Sequence, residues 1–423
     1  MADIKPFKAI RYTEKAGSIE NLITPPYDKI DSDQQKEYYE KSPYNYCRLI
    51  LPMEKNKYET AQQRIQNWLS TGILEKDTDP AVFVYRHEFT LARKTCTRTG
   101  LIAALRLYAY SENKVFPHEV THRAPKADRL NMLRTAQKNL EPVFLIFSDP
   151  ENQISSFFAE PTKAPPTTQV EDSAKIKHAV WQITDPQKIK FLQQALEGKA
   201  FVITDGHHRY ESALAYRDEK RTQEPWTEDS AFNFHMSYMV PVQDKGLIVL
   251  PTHRLLKKFK LTRAVMQQLK KFFTVTETTP TAKALEDFLE SHKQAHAFCV
   301  YDGAKAYGLT LKDAEAVSKL TNNGNSTHSL SVVILRDIVF KTVLQTGELK
   351  IDEDILYTAS TRTALKKVDS GEAKLAFLVS CIDPETVWQL AQKHERLPEK
   401  STDFYPKPVS GLMMMDISPK EKL

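Results

Sequence analysis

Glycine is the scarce residue of this chain, with 12 in 423 positions, less than half the usual share of about 7%. A chain so poor in glycine spends it where the backbone needs a left-handed turn or a close approach, so each one is worth inspecting. Gly72 and Gly100 read as ordinary element boundaries, whereas Gly206 and Gly411 fall among polar residues. Cysteine is sparse as well: Cys47, Cys96, Cys299 and Cys381 are scattered, without C-x-x-C spacing. That excludes a cysteine-based zinc finger and predicts reduced thiols in a cytoplasmic protein. No run of about 18 apolar residues occurs, so no membrane contact is expected, and the opening Met1-Ala2-Asp3-Ile4-Lys5 lacks the apolar core of a signal peptide. Charge of one sign is also lacking. The 59 Lys+Arg exceed the 54 Asp+Glu by a net +5, which makes no case for a nucleic-acid partner. The common phosphate and nucleophile motifs, G-x-x-x-x-G-K-[ST], G-x-G-x-x-G and G-x-S-x-G, are missing. A nucleotide would have to be held by a less common route.

What is present is ordinary for a globular protein: 41% hydrophobic and 27% charged residues, with a length that suggests two or three domains at roughly 150 residues each. Strand and helix patterns alternate. Arg48-Leu49-Ile50-Leu51-Pro52 reads as a buried strand, and residues 54–74 as a helix. Residues 81–85, 100–110 and 143–147 read as strands, with a helix over 130–140. The proline- and threonine-rich stretch 160–169 reads as an exposed loop. Asp185-Pro186 is a helix start running to Leu196 before Gly198. Phe201-Val202-Ile203-Thr204 is then a buried strand, and Tyr210, Ala213, Leu214 and Arg217 give the helix after it. Further helices are expected over 283–293 and 332–345, and strands over 247–250, 297–301 and 375–380. This is a mixed α/β (α+β) pattern, divided into a region 1–245 and a C-terminal α/β region 246–423. It implies no particular oligomeric state.

Three places concentrate chemistry. Asp205-Gly206-His207-His208-Arg209 lies between a strand and a helix, where free N–H groups and the helix dipole attract anions. Gly206 would let the backbone approach a phosphate and Arg209 could clamp its oxygens. Asp205 could cap the helix, hold a metal or orient a hydroxyl. Pro117-His118-Glu119-Val120-Thr121-His122-Arg123 formally matches H-E-x-x-H, which leaves zinc-dependent hydrolysis through His118 and His122 as one reading. Pro117 and Pro125 bracket a segment short for a zinc-binding helix. The stronger reading takes Glu119 as a general base and Arg123, Lys126 and Arg129 as phosphate ligands, with Mg²⁺ shared by carboxylates that include Asp128. The third place is the C-terminal segment, where Lys400, Ser401, Thr402 and Lys407 could close over a site. The rigid turn Thr24-Pro25-Pro26-Tyr27-Asp28 could do the same through Tyr27 and Asp28.

Taken in order, Thr24–Asp28, Pro117-His118-Glu119, Pro125–Arg129, Asp205–Arg209 and Lys400-Ser401-Thr402, Tyr405-Pro406-Lys407 and Ser410-Gly411-Leu412 resemble the domain-of-unknown-function family 1015. The likeness runs over nearly the whole chain. Asp205–Arg209 before a helix, with an upstream His118-Glu119 pair, is similar to the free serine kinases of the ParB and sulfiredoxin-like superfamily. That resemblance implies a ParB/sulfiredoxin-like core carrying the Asp205–Arg209 turn. It also implies catalytic roles for Glu119 (the base), His118 and Asp205, with Asp205 on substrate or metal, and Gly206, His207, His208 and Arg209 at the phosphate. The expectation that follows is an enzyme, a phosphotransferase acting on a small hydroxylated metabolite, serine or O-phosphoserine, with ADP or ATP and Mg²⁺ held by Asp205 and Asp128. The alternative is a ParB-like nucleotide-binding regulatory module without metabolite transfer.

Overall fold

The computed structural model describes residues 4–119, 123–293, 295–313, 330–398 and 400–423, and of 123–125 the backbone alone. The chain folds as two compact units. The first comprises Met1–Pro117, Thr121–Ile248 and Pro406–Leu423, and the second His118–Val120 and Val249–Tyr405.

A nine-stranded mixed sheet organises the first unit. Its principal strands are β1 (Val82–Leu91), β2 (Lys94–Arg106), β3 (Val115–Pro117), β4 (Val143–Phe147), β5 (Thr168–Glu171), β6 (Lys177–Ile183), β7 (Phe201–Asp205) and β8 (Phe234–Pro241). They lie in the order β3-β7-β4-β8-β2-β1-β6-β5, and Ile4–Lys5 adds to β2. The β3–β7 and β4–β8 pairs are parallel and the other ladders antiparallel. Every residue of β4, β7 and β8 is buried. Strands covered on both faces read as continuous apolar runs, and for that reason β4 and β7 stand out in the sequence. Four helices matter below: α1 (Lys57–Ser70), α2 (Arg123–Ala136), α3 (Pro186–Leu196) and α4 (His207–Gln223). In α3, Asp185 accepts bonds from Gln187 N and Lys188 N while Pro186 takes the first position, the arrangement that Asp-Pro favours. The C-terminal strand Met414–Asp416 returns to a small sheet between Ala9–Tyr12 and Lys138–Asn139.

The second unit carries a six-stranded sheet built from β9 (His253–Leu256), β10 (Phe273–Thr278), β11 (Ala297–Tyr301), β12 (Ala306–Leu311), β13 (Ile355–Thr358) and β14 (Leu375–Val379). Its order is β10-β12-β11-β14-β9-β13, and its ladders are antiparallel. The buried side chains form one cluster around Phe273, Phe298, Leu335 and Phe377 and another around Leu285, Cys299 and Leu378. Among the described residues, no helix is long and apolar enough to cross a membrane.

The architecture is the expected mixed α/β one, with local corrections. Cys47–Ile50 is a helical turn, not a strand. Asn45 Oδ1 accepts from Cys47 N at 2.9 Å, and Arg48 bends back to donate to Ser42 O and Tyr39 O. A short apolar run does not distinguish a strand from a buried turn; here the Asn45 and Arg48 bonds decide it. Helix α2 begins at Arg123, well before Leu130, with Pro125 in its first turn, where proline is tolerated. The stretch 160–169 is partly ordered, with a short turn at Pro161–Lys163 and Thr168 opening β5. Gly100 is no boundary: it lies inside β2, where a Cβ would come within 2.6 Å of Met239 O and 2.7 Å of the Tyr238 ring. Only glycine lets β8 approach so closely.

Candidate functional site

The first unit builds its polar centre where β7 ends. Phe201, Val202 and Ile203 are fully buried and drive the strand; Asp205 is its last residue. Gly206 follows with φ of +88°, a left-handed conformation that costs other L-residues about 1 kcal/mol or more. Helix α4 then starts, with Tyr210 N donating to Gly206 O at 2.9 Å. The absent side chain at Gly206 has a second use. A Cβ there would fall 2.9 Å from Arg209 Nε and 3.0 Å from its Cζ, so glycine makes room for the guanidinium to fold back over the turn. Arg209 Nη2 pairs with Asp205 Oδ2, and Nη1 donates to Pro142 O. Lys407 Nζ meets the other carboxylate oxygen, Asp205 Oδ1, at 3.0 Å. Burial opposes a charge on Asp205, yet Lys407 and Arg209, helped by Lys29, hold its pKa below the usual carboxylate range. Arg209 keeps its proton more firmly than usual: burial works against the charge, but Glu141, Asp205, Asp28 and Tyr27 outweigh it.

The N-terminal turn and the C-terminal segment meet at this place. Thr24 and Ser410 exchange backbone bonds, Thr24 N to Ser410 O at 3.1 Å and Ser410 N to Thr24 O at 2.8 Å. Glu141 ties them: its Oε1 accepts from Tyr27 N at 3.1 Å and from Ser410 Oγ at 2.8 Å. The Arg129 guanidinium lies over the Tyr27 ring at 4.0 Å, a cation–π contact worth about 1–2 kcal/mol when desolvated. Burial and then Asp28 push the Tyr27 phenol up to about 12. Of the residues singled out by the sequence, Tyr27, Arg129 and Arg209 thus lie about a buried carboxylate that it does not mark, while Lys407 and Arg209 meet on Asp205. Glu141 is only 4% exposed; its one sequence signal is a charge set just before an entirely apolar strand, Glu141-Pro142-Val143.

Other expected residues are placed differently. Asp128 is held by Lys57, by Tyr58 Oη at 2.9 Å and by Arg129 Nε at 2.9 Å. Burial would raise its pKa, but Arg129, Lys57 and Tyr58 bring it down to about 2. Lys126 pairs with Glu211. His207 and His208, in the first turn of α4, are half-buried. Asp205 and Asp128 are thus each neutralised by the chain's own cations, in separate ion-pair groups. Among the described residues, no group of three or more His, Cys, Asp or Glu is arranged to hold a metal ion. His122 and the side chain of Arg123 lie outside the described residues, and with His122 the zinc reading.

In the second unit His118 is 1% exposed and its Nε2 lies 2.7 Å from Thr402 Oγ1. Glu119 Oε1 accepts from Thr402 Oγ1 at 3.1 Å and from Thr402 N at 3.3 Å. Because the hydroxyl gives its one proton to Glu119, His118 donates to it through Nε2. Glu119 pairs in register with Leu397, and Leu397 N donates to His118 O at 2.8 Å. Buried Arg254 is sensitive to Glu119: burial lowers its pKa to about 10, against the pull of Tyr357 and Glu119. Arg254 Nη2 donates to Lys400 O at 3.3 Å. Lys400 itself is exposed with φ of +57°, and buried Ser401 donates to Pro398 O at 2.6 Å. Of the three, Thr402 is the residue that touches the expected base.

No curated protein matches the chain. Several solved structures resemble it at low identity. A free serine kinase variant in complex with ADP is 14% identical, with a TM-score of 0.39 over 76% of this chain and 94% of that one. SbnI with a C-terminal truncation, from Staphylococcus aureus, is 9% identical, with a TM-score of 0.36 over 76% and 90%. A conserved hypothetical protein from Pyrococcus furiosus is 16% identical, with a TM-score of 0.33 over 72% and 93%. The family model described as protein of unknown function (DUF1015) matches residues 4–333, more than three quarters of the sequence, and the chain belongs to that family.

Proposed function

We propose that this protein transfers a phosphoryl group between a nucleotide and a small hydroxylated metabolite, with serine and O-phosphoserine as the first pair to test. One observation carries the reading: Arg209 and Lys407 converge on Asp205 at the start of α4, where the missing side chain of Gly206 makes room for the guanidinium. Two cations and a helix dipole at one point suit a phosphate. In phosphoryl transfer the protein's work is largely to position the groups and to spread negative charge. Arg209 and Lys407 would exchange a carboxylate oxygen of Asp205 for oxygens of the transferring group. Mg²⁺ enters with the nucleotide as part of the substrate, since Asp205 and Asp128 are engaged by cations. The acceptor oxygen forms the new bond to phosphorus as the bond to the leaving nucleoside phosphate breaks, and its proton passes to a carboxylate base, the role in which Glu119 is the candidate to test. Thr402, bonded to Glu119, orients the carboxylate. The reverse direction releases the metabolite from its phosphate ester.

The test is incubation of the full chain with serine, Mg²⁺ and ADP or ATP, with product read by ³¹P NMR. Formation of O-phosphoserine at a rate above the protein-free control is the expected result. Nucleotide binding without transfer to serine or other small alcohols would instead support a regulatory nucleotide-binding module.

A further inference from the structure

Lys407 reaches Asp205 from a stretch that has no helix or strand of its own: residues 406–409 are irregular. Even so, its side chain is only 14% exposed. Two residues of the large sheet grip this stretch on either side of Lys407. Arg98, on β2, donates through Nη2 to Pro406 O. Tyr85, on β1, accepts at its hydroxyl from Val409 N at 3.4 Å. The Tyr85 hydroxyl lies 2.7 Å from His178 Nδ1, and His178 Nε2 lies 3.1 Å from Asp172 Oδ2. Both bonds are satisfied with Tyr85 donating to Nδ1 and the Nε2–H donating to Asp172. Asp172 is fixed in turn by Ala174 N at 2.8 Å and Ile176 N at 3.0 Å, both on its Oδ1.

Tyr85, Arg98 and His178 are all wholly buried. A guanidinium in the interior is costly, and apolar residues of similar volume commonly serve stability as well or better. Arg98 lies 4.7 Å from the centre of the Phe144 ring and 5.6 Å from that of Tyr238, so its charge is accommodated, but packing alone does not call for it. Its directed bond to Pro406 O, one residue from Lys407, does.

We infer that Arg98 and the Asp172–His178–Tyr85 chain are positioning residues, holding residues 406–409 so that Lys407 meets Asp205. Their effect on ligand binding rests on the phosphate reading above; their effect on Lys407 does not. The experiment compares wild type with Tyr85→Phe and Arg98→Lys, conservative changes whose folding is checked by circular dichroism. Lysine acylation by an N-hydroxysuccinimide ester is followed by peptide mass spectrometry, and Mg-ADP affinity by calorimetry. Lys138, 12% exposed and paired with Asp416 at 3.0 Å, is the internal control. Acylation of Lys407 should rise about five- to tenfold in either folded variant, the scale of one lost hydrogen bond, while Lys138 stays unchanged. A general loosening of the fold would raise both and overturn the inference, as would unchanged Lys407 reactivity in the folded variants. If Lys407 reactivity rises while wild type binds no Mg-ADP, the positioning role stands and the phosphate reading fails.

Discussion

Asp205→Ala is expected to destabilise the first unit by about 3–5 kcal/mol, the usual cost of removing one partner from a buried ion pair. The carboxylate is 8% exposed and faces two cations, Arg209 and Lys407. Its loss leaves a buried guanidinium and a nearly buried ammonium without the charge between them. Glu141 and Asp28 offset Arg209 in part, which argues for the lower end of the range. The pH dependence has a definite sign. The folded pKa of Asp205 lies below its unfolded value of about 3.9, so the stabilisation is complete above that value and fades as pH falls through the folded pKa. Urea titrations at pH 7 should show the full difference between wild type and variant, and the gap should narrow below about pH 4. A difference under about 1 kcal/mol at pH 7 would mean the pair is no stronger than a surface salt bridge.

Glu119→Gln is expected to lower phosphoserine formation by about 10²- to 10⁴-fold, the range for loss of a general base. Glutamine retains an oxygen that can accept the two bonds from Thr402, so nucleotide affinity should change little, while stability falls modestly with the charge that helps offset buried Arg254. A loss confined to turnover is the signature of a proton-transfer role. Equal turnover in wild type and variant would remove Glu119 from the chemistry. Equal weakening of turnover and of nucleotide affinity would make it a structural residue.

The parts of this arrangement that the sequence announces are the locally determined ones. β7 and α4 are readable because an apolar strand, a glycine and an i, i+3, i+4, i+7 helix face follow one another within 17 residues, Phe201 to Arg217. Local capping chemistry likewise marks the start of α3. Arg48–Pro52 reads wrongly as a strand because five residues carry too little periodicity to separate strand from helix, and the contacts that make Cys47–Ile50 a helical turn come from Asn45, Ser42 and Tyr39. Gly100 resembles a boundary because only the packing of β8 reveals what its missing side chain is for. Glu141 carries no such signal. Its partners Tyr27 and Ser410 are 114 and 269 positions away, and nothing local distinguishes it from other acidic residues beside a strand. Asp128 shows the opposite failure: an acid amid cations suggests a metal ligand, whereas Lys57 and Tyr58, across from it on α1, take its oxygens. The sequence shows which side chains can do chemistry, while their partners are set by long-range packing.

A phosphate held at the Gly206 turn by Arg209 and Lys407 requires that Mg-ADP bind there. Calorimetric titration of Mg-ADP into wild type, Arg209→Lys and Lys407→Ala tests it most directly. Lysine keeps the charge at position 209 but not the planar fork that binds two oxygens at once. Wild type should bind one equivalent, with each variant weaker by about tenfold or more, on the scale of a lost charge-assisted bond. The same affinity in all three proteins, or no binding of Mg-ADP by wild type, would contradict it.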